Sequence, residues 1–473
     1  MRTLPSAVRT ALVTAITAAG LTASSLHAQA ASQDDLNALR EQIRQLDQKL
    51  RVLERNSEIK DETAAADAKK AGKIAFTDKG LTFSSGDGTN TLRVRGLVQG
   101  DSRWFQHDNV AANNTFLLRR ARIIFEGTFA KNFDYLITPE FAGSTSNTNP
   151  TIVDAYVNWK IQPQFQIRVG RFREPVGLEQ LQADAVAFFA ERSVVSSYVP
   201  NRDVGVQLGG DLLDGRLSYA IGVFNGVADG QNGVNASDNS NEKDAAGRIF
   251  ATPFINDKDS ALAGLGFGVG ASVGSQNGSS NGSLSYKTDG QQNWFTFNGS
   301  GTPIQYGQTY RVSPQAYYYY GPFGLLTEYA VSSAEWRNTN GTNRRSLQND
   351  AWQIAAGYVL TGENASYKGV VPNTNFDLAN GTWGAFEVVG RVSQANVDRG
   401  AFTGGTPLAN RASVAGGATG LGAGLNWYLS KTVRASFDYF HTQFDYVGGP
   451  VTTQTSPIHQ DENVFITRLQ VAF

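Results

Sequence analysis

The sequence predicts an all-β fold: a transmembrane antiparallel β-barrel of about 16 strands, preceded by a short N-terminal coiled-coil helix. Polar and apolar residues alternate with a period of two from residue 91 onward, and long and short connections follow each other in turn. The chain has 50 glycines, 27 phenylalanines and 17 tyrosines but no cysteine. Beyond the N-terminus no stretch approaches the roughly 18 apolar residues of a spanning helix, so only strands could cross a bilayer.

Residues 1–30 are predicted to be a secretory signal peptide. Arg2 and Arg9 precede an apolar segment at 11–21, and Ala28-Gln29-Ala30 matches a small-residue cleavage site. An exported barrel is expected in the outer membrane of a Gram-negative bacterium. The formal charge of −1 leaves the chain without an overall basic surface for nucleic acid, so charge selectivity would depend on local clusters.

Residues 32–56 are predicted to form a coiled coil. Apolar residues recur there at spacings of three and four, as on the seam of a heptad repeat. An isolated amphipathic surface helix is the alternative, although such helices usually carry a wider apolar stripe. Residues 57–80 are predicted to be a linker; the charged, Ala-rich stretch 58–72 has no apolar seam, which is typical of a linker or a frayed helix. The seam consists of Leu36, Leu39, Ile43, Leu46, Leu50 and Leu53.

Residues 81–473 are predicted to form the barrel, with polar side chains facing the lumen and apolar ones facing lipid. The first strands are expected near 91–105, 118–129, 133–138, 153–160 and 165–169. The segment 463–473 ends on an aromatic residue and is expected to close the barrel against 91–105, which places Arg468 in the lumen. The other candidates are 203–213, 215–226, 245–255, 263–275, 309–320, 323–336, 349–361, 382–395, 417–429 and 431–444.

The connections predict two different ends of the barrel, with short periplasmic turns opposite long extracellular loops. The segment 362–381 breaks this rule because it should be short and is long. Residues 172–202 are too apolar to lie free in water, since Leu178, Leu181, Phe188 and Phe189 need burial. We expect this segment to fold into the lumen, with a short helix or turn within 177–192; an ordinary extracellular loop is the alternative.

The chain resembles a known family at a series of motifs. They are Leu118-Arg119-Arg120-Ala121-Arg122 with Glu126-Gly127, Asp154-Ala155-Tyr156, Arg168-Val169-Gly170-Arg171-Phe172-Arg173-Glu174-Pro175, Gly177-Leu178-Glu179 and Glu191-Arg192. In order and spacing they are similar to the phosphate-selective porin O and P family. The resemblance implies homotrimers of sixteen-stranded barrels in which a ladder of arginines leads anions to a narrow binding site. Arg119 and Arg120 resemble the paired arginines of that site.

The predicted function is a porin for passive diffusion of small anions, with phosphate or polyphosphate as leading substrates. Guanidinium groups in a low-dielectric lumen attract anions and match phosphate oxygens. Alternation places Arg119 on the outward face, so it must lie at a bulge or at the lipid boundary. Nearby acids either hold the arginines rigid or cancel the anion preference. The predicted anion path comprises Arg93, Arg95, Arg119, Arg120, Arg122, Arg168, Arg171, Arg173 and Arg468, and the paired acids are Asp154, Glu126 and Glu179.

Two alternatives remain open: a general or sugar-preferring porin with paired charges, and an envelope tether acting through the coiled coil. An enzyme is not expected, because the G-x-S-x-G matches at 270–274 and 278–282 lack the strand–turn–helix setting of a nucleophile. No metal or cofactor site is predicted, and the expected partners are small anions, outer-membrane lipid and a homotrimer. Trp104, Trp159, Trp427 and Tyr317 to Tyr320 are predicted to form interfacial girdles, with stacking inside the pore as the alternative.

Overall fold

The computed structural model describes residues 33–106, 112–142, 150–233, 241–278, 284–299, 301–448 and 461–473, with backbone alone for 64–70. The chain divides into two units, 1–71 and 72–473. The predicted signal peptide lies outside the described residues. Among those residues, no helix is long and apolar enough to cross a membrane.

The first unit contains one helix, α1, Gln33–Lys70. Asp34 and Asp35 lie in its first turn, where carboxylates interact favourably with the helix dipole. The seam residues are exposed, from 42% at Leu36 to 68% at Leu53. The helix continues to Lys70, so residues 57–70 are helical, which is one of the two interpretations that the sequence allowed. These residues are rich in Ala, Glu and Lys, which favour helix even without a seam.

The second unit is a closed barrel of sixteen antiparallel strands, as predicted. The unit also contains two short hairpins, β1–β2 and β12–β13, which are not among the sixteen barrel strands. The hairpin strands are β1 Lys73–Thr77, β2 Gly80–Ser84, β12 Ser285–Lys287 and β13 Asn293–Thr296. The barrel strands are β3 Thr91–Gln106, β4 Thr115–Phe129, β5 Phe133–Glu140, β6 Thr151–Gln162, β7 Phe165–Arg173, β8 Arg202–Leu212, β9 Leu217–Phe224, β10 Asp244–Ala251, β11 Leu265–Asn277, β14 Pro303–Tyr320, β15 Phe323–Asn338, β16 Arg345–Val359, β17 Ala385–Asn396, β18 Gly417–Tyr428, β19 Val433–Asp445 and β20 Asp461–Ala472.

The barrel closes between β20 and β3, with register from Asn463↔Gln106 to Ala472↔Leu97. This confirms the prediction that 463–473 closes the barrel against 91–105. Beyond the end of β20, β2 pairs with the remaining part of β3, from Leu81↔Val94 to Ser84↔Thr91. The ring of barrel strands therefore has no open edge at which another strand could add.

Alternation along each strand separates the two faces of the wall. On β20, Phe465 and Leu469 are 42% and 57% exposed on the outside, whereas Arg468 is fully buried in the lumen. The expectation that Tyr317 to Tyr320 all belong to a girdle is wrong. Tyr319 packs inside the barrel, 6.3 Å from Phe188 between ring centroids, while Tyr320 faces outward at 58% exposure. Four consecutive strand residues cannot share one face because side chains alternate.

The two ends of the barrel differ as predicted. At one end, the loop end, are the connections 107–114, 141–150, 174–201, 225–243, 278–302, 339–344, 397–416 and 446–460. At the other, the turn end, are 130–132, 163–164, 213–216, 252–264, 321–322, 360–384 and 429–432. The long connection 360–384 is the exception that the sequence indicated, and 252–264, with 13 residues, is a second one.

Candidate functional site in the barrel lumen

The connection 174–201, here called the inner loop, packs inside the barrel. Its apolar side chains Val176, Leu178 and Phe189 are at most 1% exposed. It contains a one-turn helix, α2, Leu178–Leu181, and a 3-10 helix, Val194–Ser197. The backbone N–H groups of Leu178 and Glu179 donate to the Glu328 carboxylate on β15 at 2.8 and 3.1 Å. The wall thus supplies the acceptors that the first turn of α2 requires.

The inner loop is also held on the other side of the barrel. Arg434 on β19 donates to the carbonyl of Ala187 at 2.9 Å, and Gln470 on β20 donates to that of Ala185 at 2.9 Å. Because the loop is bonded to β15 and to β19–β20, it crosses the lumen and narrows it.

Four arginines surround Asp184 of the inner loop. Arg120 Nε lies 3.4 Å, Arg173 Nη2 2.9 Å and Arg192 Nη2 2.6 Å from its carboxylate, and Arg122 forms a further close ion pair. Burial alone would raise the pKa of Asp184, but the four guanidinium groups outweigh burial and hold it well below its usual range. The carboxylate is therefore a fixed negative centre with an excess of positive charge around it.

A second cluster forms around Glu191 of the inner loop. Arg103, Arg119 and Arg468 bind its carboxylate at 2.7, 2.6 and 2.8 Å. Arg103 and Arg468 also bind Asp101, at 2.8 and 2.6 Å. Burial would raise the pKa of Glu191, but these arginines keep it well below its usual range.

A β-bulge turns Arg119 inward. The register of β3 with β4 runs from Gln99↔Arg120 to Gly100↔Leu118, so Arg119 is an extra residue on β4. Its guanidinium makes two hydrogen bonds with Glu191, at 2.6 and 3.0 Å. The sequence allowed two locations for Arg119, a bulge or the lipid boundary. In the structure Arg119 lies at a bulge.

Two water-accessible chambers meet at the inner loop. The loop-side chamber has a volume of about 330 Å³ and the turn-side chamber about 910 Å³. Both are lined by Arg122, Asp184 and Arg202, which mark the point here called the narrowing. Cations along the loop-side chamber are Arg119, Arg120, Arg122, Arg192, Arg202 and Lys287. Those along the turn-side chamber are Lys79, Arg93, Arg95, Arg122, Arg173, Arg202, Lys368, Lys431 and Arg434.

Four of the predicted arginines lie away from the narrowing. Arg93 and Arg95 flank the turn-side chamber and share Glu126, at 3.3 and 2.7 Å. Arg171 donates to the backbone carbonyls of Val153 and Gly233 and lines neither chamber.

Arg168, the remaining predicted arginine, lies over the ring of Tyr156 at 4.6 Å and lines a separate cavity.

The other predicted acids pair with arginines that the sequence analysis did not select. Asp154 binds Arg202 at 2.9 Å. Glu179 lies 3.5 Å from Arg391 and accepts hydrogen bonds from Ser193, so it belongs to the supports of the inner loop. The alternation that marked Arg120 and Arg122 also marks lumen-facing arginines on later strands. It would have found Arg248, Arg311, Arg391 and Arg434.

The connection 360–384 enters the lumen from the turn end. Its Tyr367 hydroxyl donates to the carbonyl of Leu178 on α2 at 2.7 Å, and Gln182 donates back to the Tyr367 carbonyl at 2.9 Å. The Tyr367 ring stacks on Tyr317 of β14, with centroids 5.2 Å apart. The sequence flagged this connection only by its length; its contacts make it a support of the inner loop.

The described residues contain no group of three or more His, Asp or Glu side chains placed to hold a metal ion. Ser272, in the first G-x-S-x-G match, lies within β11 and receives a hydrogen bond from Arg311 at 3.4 Å. The next described elements after β11 are the short strands β12 and β13, so the described residues show no strand–turn–helix at this match.

Comparison with known families gives one match. The family model described as phosphate-selective porin O and P matches residues 92–473, which contain all of the barrel but the first residue of β3. None of the curated proteins matches the chain significantly.

Solved structures of similar fold include an outer-membrane channel, an outer-membrane protein and a porin. The outer membrane channel DcaP of Acinetobacter baumannii has a TM-score of 0.50 and 12% identity, over 83% of this chain and 99% of that chain. OmpT of Vibrio cholerae in a trimer form gives 0.47 and 12%, over 81% and 100%. An anion-selective porin from Comamonas acidovorans gives 0.47 and 10%, over 81% and 100%. At this identity the likeness to DcaP concerns the fold alone.

Proposed function

Because the chain belongs to the phosphate-selective porin O and P family, we propose that it is a water-filled channel for passive diffusion of small anions, with phosphate or polyphosphate as leading substrates. It is located in the outer membrane of a Gram-negative bacterium. The family consists of channel proteins, and we assign the chain no catalytic step. The observation that carries the proposal is an excess of guanidinium groups around Asp184 and Glu191.

The charge balance at the narrowing supports anion passage. Seven arginines contact Asp184, Glu191 or Asp101, and Arg122 also binds Glu140 at 2.6 Å. Seven guanidinium groups thus face four carboxylates, an excess of three positive charges in a confined, low-dielectric space. Such a space focuses the field and raises the local anion concentration.

Transport requires attraction without trapping, which a row of exchangeable partners provides. An anion in the loop-side chamber meets Arg119, Arg192 and Lys287 before the narrowing. Arg122 and Arg202 face both chambers, so the anion keeps a guanidinium partner while it crosses. In the turn-side chamber Arg93 and Arg95 continue the row. Each guanidinium fork replaces part of the water that the anion leaves behind.

The experiment is a measurement of ion selectivity in planar bilayers. We expect the reversal potential in a KCl gradient to indicate chloride preference, and inorganic phosphate to reduce the chloride current in a saturable manner. A cation-selective channel, or a chloride current insensitive to phosphate, would contradict the proposal.

A general or sugar-preferring porin is the second candidate, and one observation favours it. Every arginine around Asp184 and Glu191 already has a carboxylate partner, so an anion must compete with fixed charges of its own sign. This candidate predicts weak ion selectivity and no saturation by phosphate. The phosphate titration therefore separates the two.

The exposed seam of α1 supports a further role, in assembly or tethering. Six apolar side chains on one stripe of a helix favour burial against similar helices. We propose that α1 joins the protomers of a homotrimer or tethers the barrel to the cell envelope. Deletion of residues 32–72 should weaken cross-linking between protomers or envelope attachment and leave single-channel conductance unchanged. A fall in conductance would instead assign the segment to the pore.

A further inference from the structure

A third cavity lies between the inner loop and the turn end. Its volume is about 290 Å³, and Pro175 and Leu181 of the inner loop cover it. On the wall it is lined by Arg168 of β7 and Arg248 of β10. Between these two strands the lumen surface is made of small residues such as Gly209 and Ala220, which leave the space open.

The two arginines of this cavity differ from those at the narrowing because neither forms an ion pair among the described residues. The Arg168 guanidinium lies 4.6 Å from the Tyr156 ring centroid and 5.4 Å from that of Phe172. Its Nε atom is buried without a hydrogen-bond partner. Ring contacts use the face of a guanidinium and leave its N–H edge available.

Arg248 is held in a similar way. Its guanidinium lies 4.2 Å from the Phe250 ring centroid, and its Nε donates to Gln315 at 2.9 Å. Gln315 in turn donates to the Val176 carbonyl of the inner loop at 2.7 Å. The side chain is therefore positioned by the wall and the loop, while its two terminal nitrogens make no hydrogen bond in the described part of the chain.

The cavity contains one acidic residue, Asp211, which is exposed near the turn end and pairs with neither arginine. A third arginine, Arg173, lines both this cavity and the turn-side chamber and is bound to Asp184 at 2.9 Å. The cavity therefore adjoins the proposed path on the far side of the narrowing. It presents two fixed cations that pair with no carboxylate of the described segments.

We propose that Arg168 and Arg248 form a second anion-binding site, which takes a small oxyanion such as inorganic phosphate on the turn side of the inner loop. This inference rests on the proposed anion channel and extends it. At the narrowing an anion must displace carboxylates, whereas here it displaces only water. The guanidinium groups that line the cavity can donate charge-assisted hydrogen bonds, which favour an anion with several oxygens over chloride. The site would draw anions through the narrowing toward the turn end.

The direct test uses arsenate, a phosphate analogue that scatters X-rays anomalously. Crystals of the wild-type channel soaked in arsenate should show an anomalous peak within hydrogen-bond distance of both guanidinium groups. The variant Arg168→Gln/Arg248→Gln should lose this peak. Peaks at the narrowing alone, or no peak near these two side chains in the wild type, would overturn the inference.

A functional test separates this site from the channel as a whole. In the double variant the phosphate concentration that halves the chloride current should rise about tenfold, as expected for the loss of charge-assisted hydrogen bonds. Ala220→Phe should have the same effect because the ring fills the cavity and leaves both charges in place. Arg216→Gln/Lys258→Gln, at two exposed turns, removes the same two positive charges and should behave as wild type.

The outcomes are distinct. An anion-selective wild type in which neither the double variant nor Ala220→Phe alters phosphate block overturns this site and leaves the channel proposal standing. A cation-selective wild type without an arsenate peak overturns both.

Discussion

Arg119 illustrates what single residues contribute to this lumen. Strict alternation would turn its charge toward lipid, but one extra residue in β4 redirects it onto Glu191. The sequence was compatible with a bulge and with the lipid boundary. It could not distinguish them, because the bulge depends on the register between β3 and β4 and on Glu191, an acceptor in the inner loop. For Asp101 and Arg103 on β3, by contrast, the inward position follows from alternation alone.

The ion-pair partner of a side chain was harder to predict than the face of the strand on which it lies. Asp154 and Glu179 were expected to pair with arginines of the path, yet their partners are Arg202 and Arg391. Arg202 follows the inner loop and Arg391 lies on β17, so both contacts depend on how the loop crosses the lumen. A one-dimensional pattern does not contain that information.

Arg122→Ala tests the path at the narrowing. The variant removes a guanidinium that faces both chambers and leaves Asp184 and Glu140 with one partner fewer. We expect the reversal potential to shift toward cation selectivity and phosphate affinity to fall about tenfold. Arg120→Ala should act in the same direction, because Arg120 also lies beside Asp184.

Lys431→Ala is the matched control for this prediction. Lys431 lines the wide turn-side chamber, is half exposed and lies 3.4 Å from Asp78. Its loss should change selectivity little, because exposed ion pairs in wide aqueous spaces are weak and screened. Equal effects of the three substitutions would argue against the narrowing as the selective point.

Among the elements, the connection 360–384 has a role that its sequence did not reveal. Its length alone marked it as an exception among the turns. Tyr367 exchanges hydrogen bonds with Leu178 of α2 and with Gln182, which follows it. The inner loop is therefore supported from the turn end as well as from the wall. Strand positions, by contrast, were predictable because alternation is a local signal that acts in every strand. The hairpin β12–β13 and strands β1 and β2 were missed because they are only three to five residues long.

Tyr367→Phe tests this support. The variant keeps the ring that stacks on Tyr317 and removes the hydroxyl that bonds to Leu178, a loss of about 1 kcal/mol. We expect a more mobile inner loop, measured as greater fluctuation of the open-channel current at unchanged barrel stability. Tyr358→Phe is the control, since Tyr358 faces outward at 49% exposure. Equal current noise in the two variants would show that Tyr367 does not hold the loop.

For the molecule as a whole, the ring closes where a charged network lies. Asp101 of β3 and Arg468 of β20 face each other in the register and bind at 2.6 and 2.7 Å. Both side chains are buried, and Glu191 of the inner loop shares Arg468. The closing strand was predictable from its alternation and its position in the chain. That its arginine also anchors the inner loop was not, because the contact joins three distant parts of the chain.

Arg468→Ala should weaken the closed barrel. It leaves Asp101 and Glu191 buried with one partner fewer, and breaking a buried ion pair in this way costs about 3–5 kcal/mol. We expect the temperature at which the folded band is lost in SDS gels to fall clearly below that of wild type. Arg216→Ala, at an exposed turn, should leave it unchanged. An unaltered transition in Arg468→Ala would show that strand pairing alone sustains the closure.

The shared position of Arg468 has a consequence for biogenesis. Its partners lie on the strand that opens the barrel and on the loop that narrows it, so its contact with Asp101 forms only when β3 and β20 have met. An assembly intermediate in which these strands are still apart would therefore lack this ion pair, and Asp101 and Glu191 would not yet share Arg468. Closing the wall and completing the charged network inside it are coupled steps of assembly.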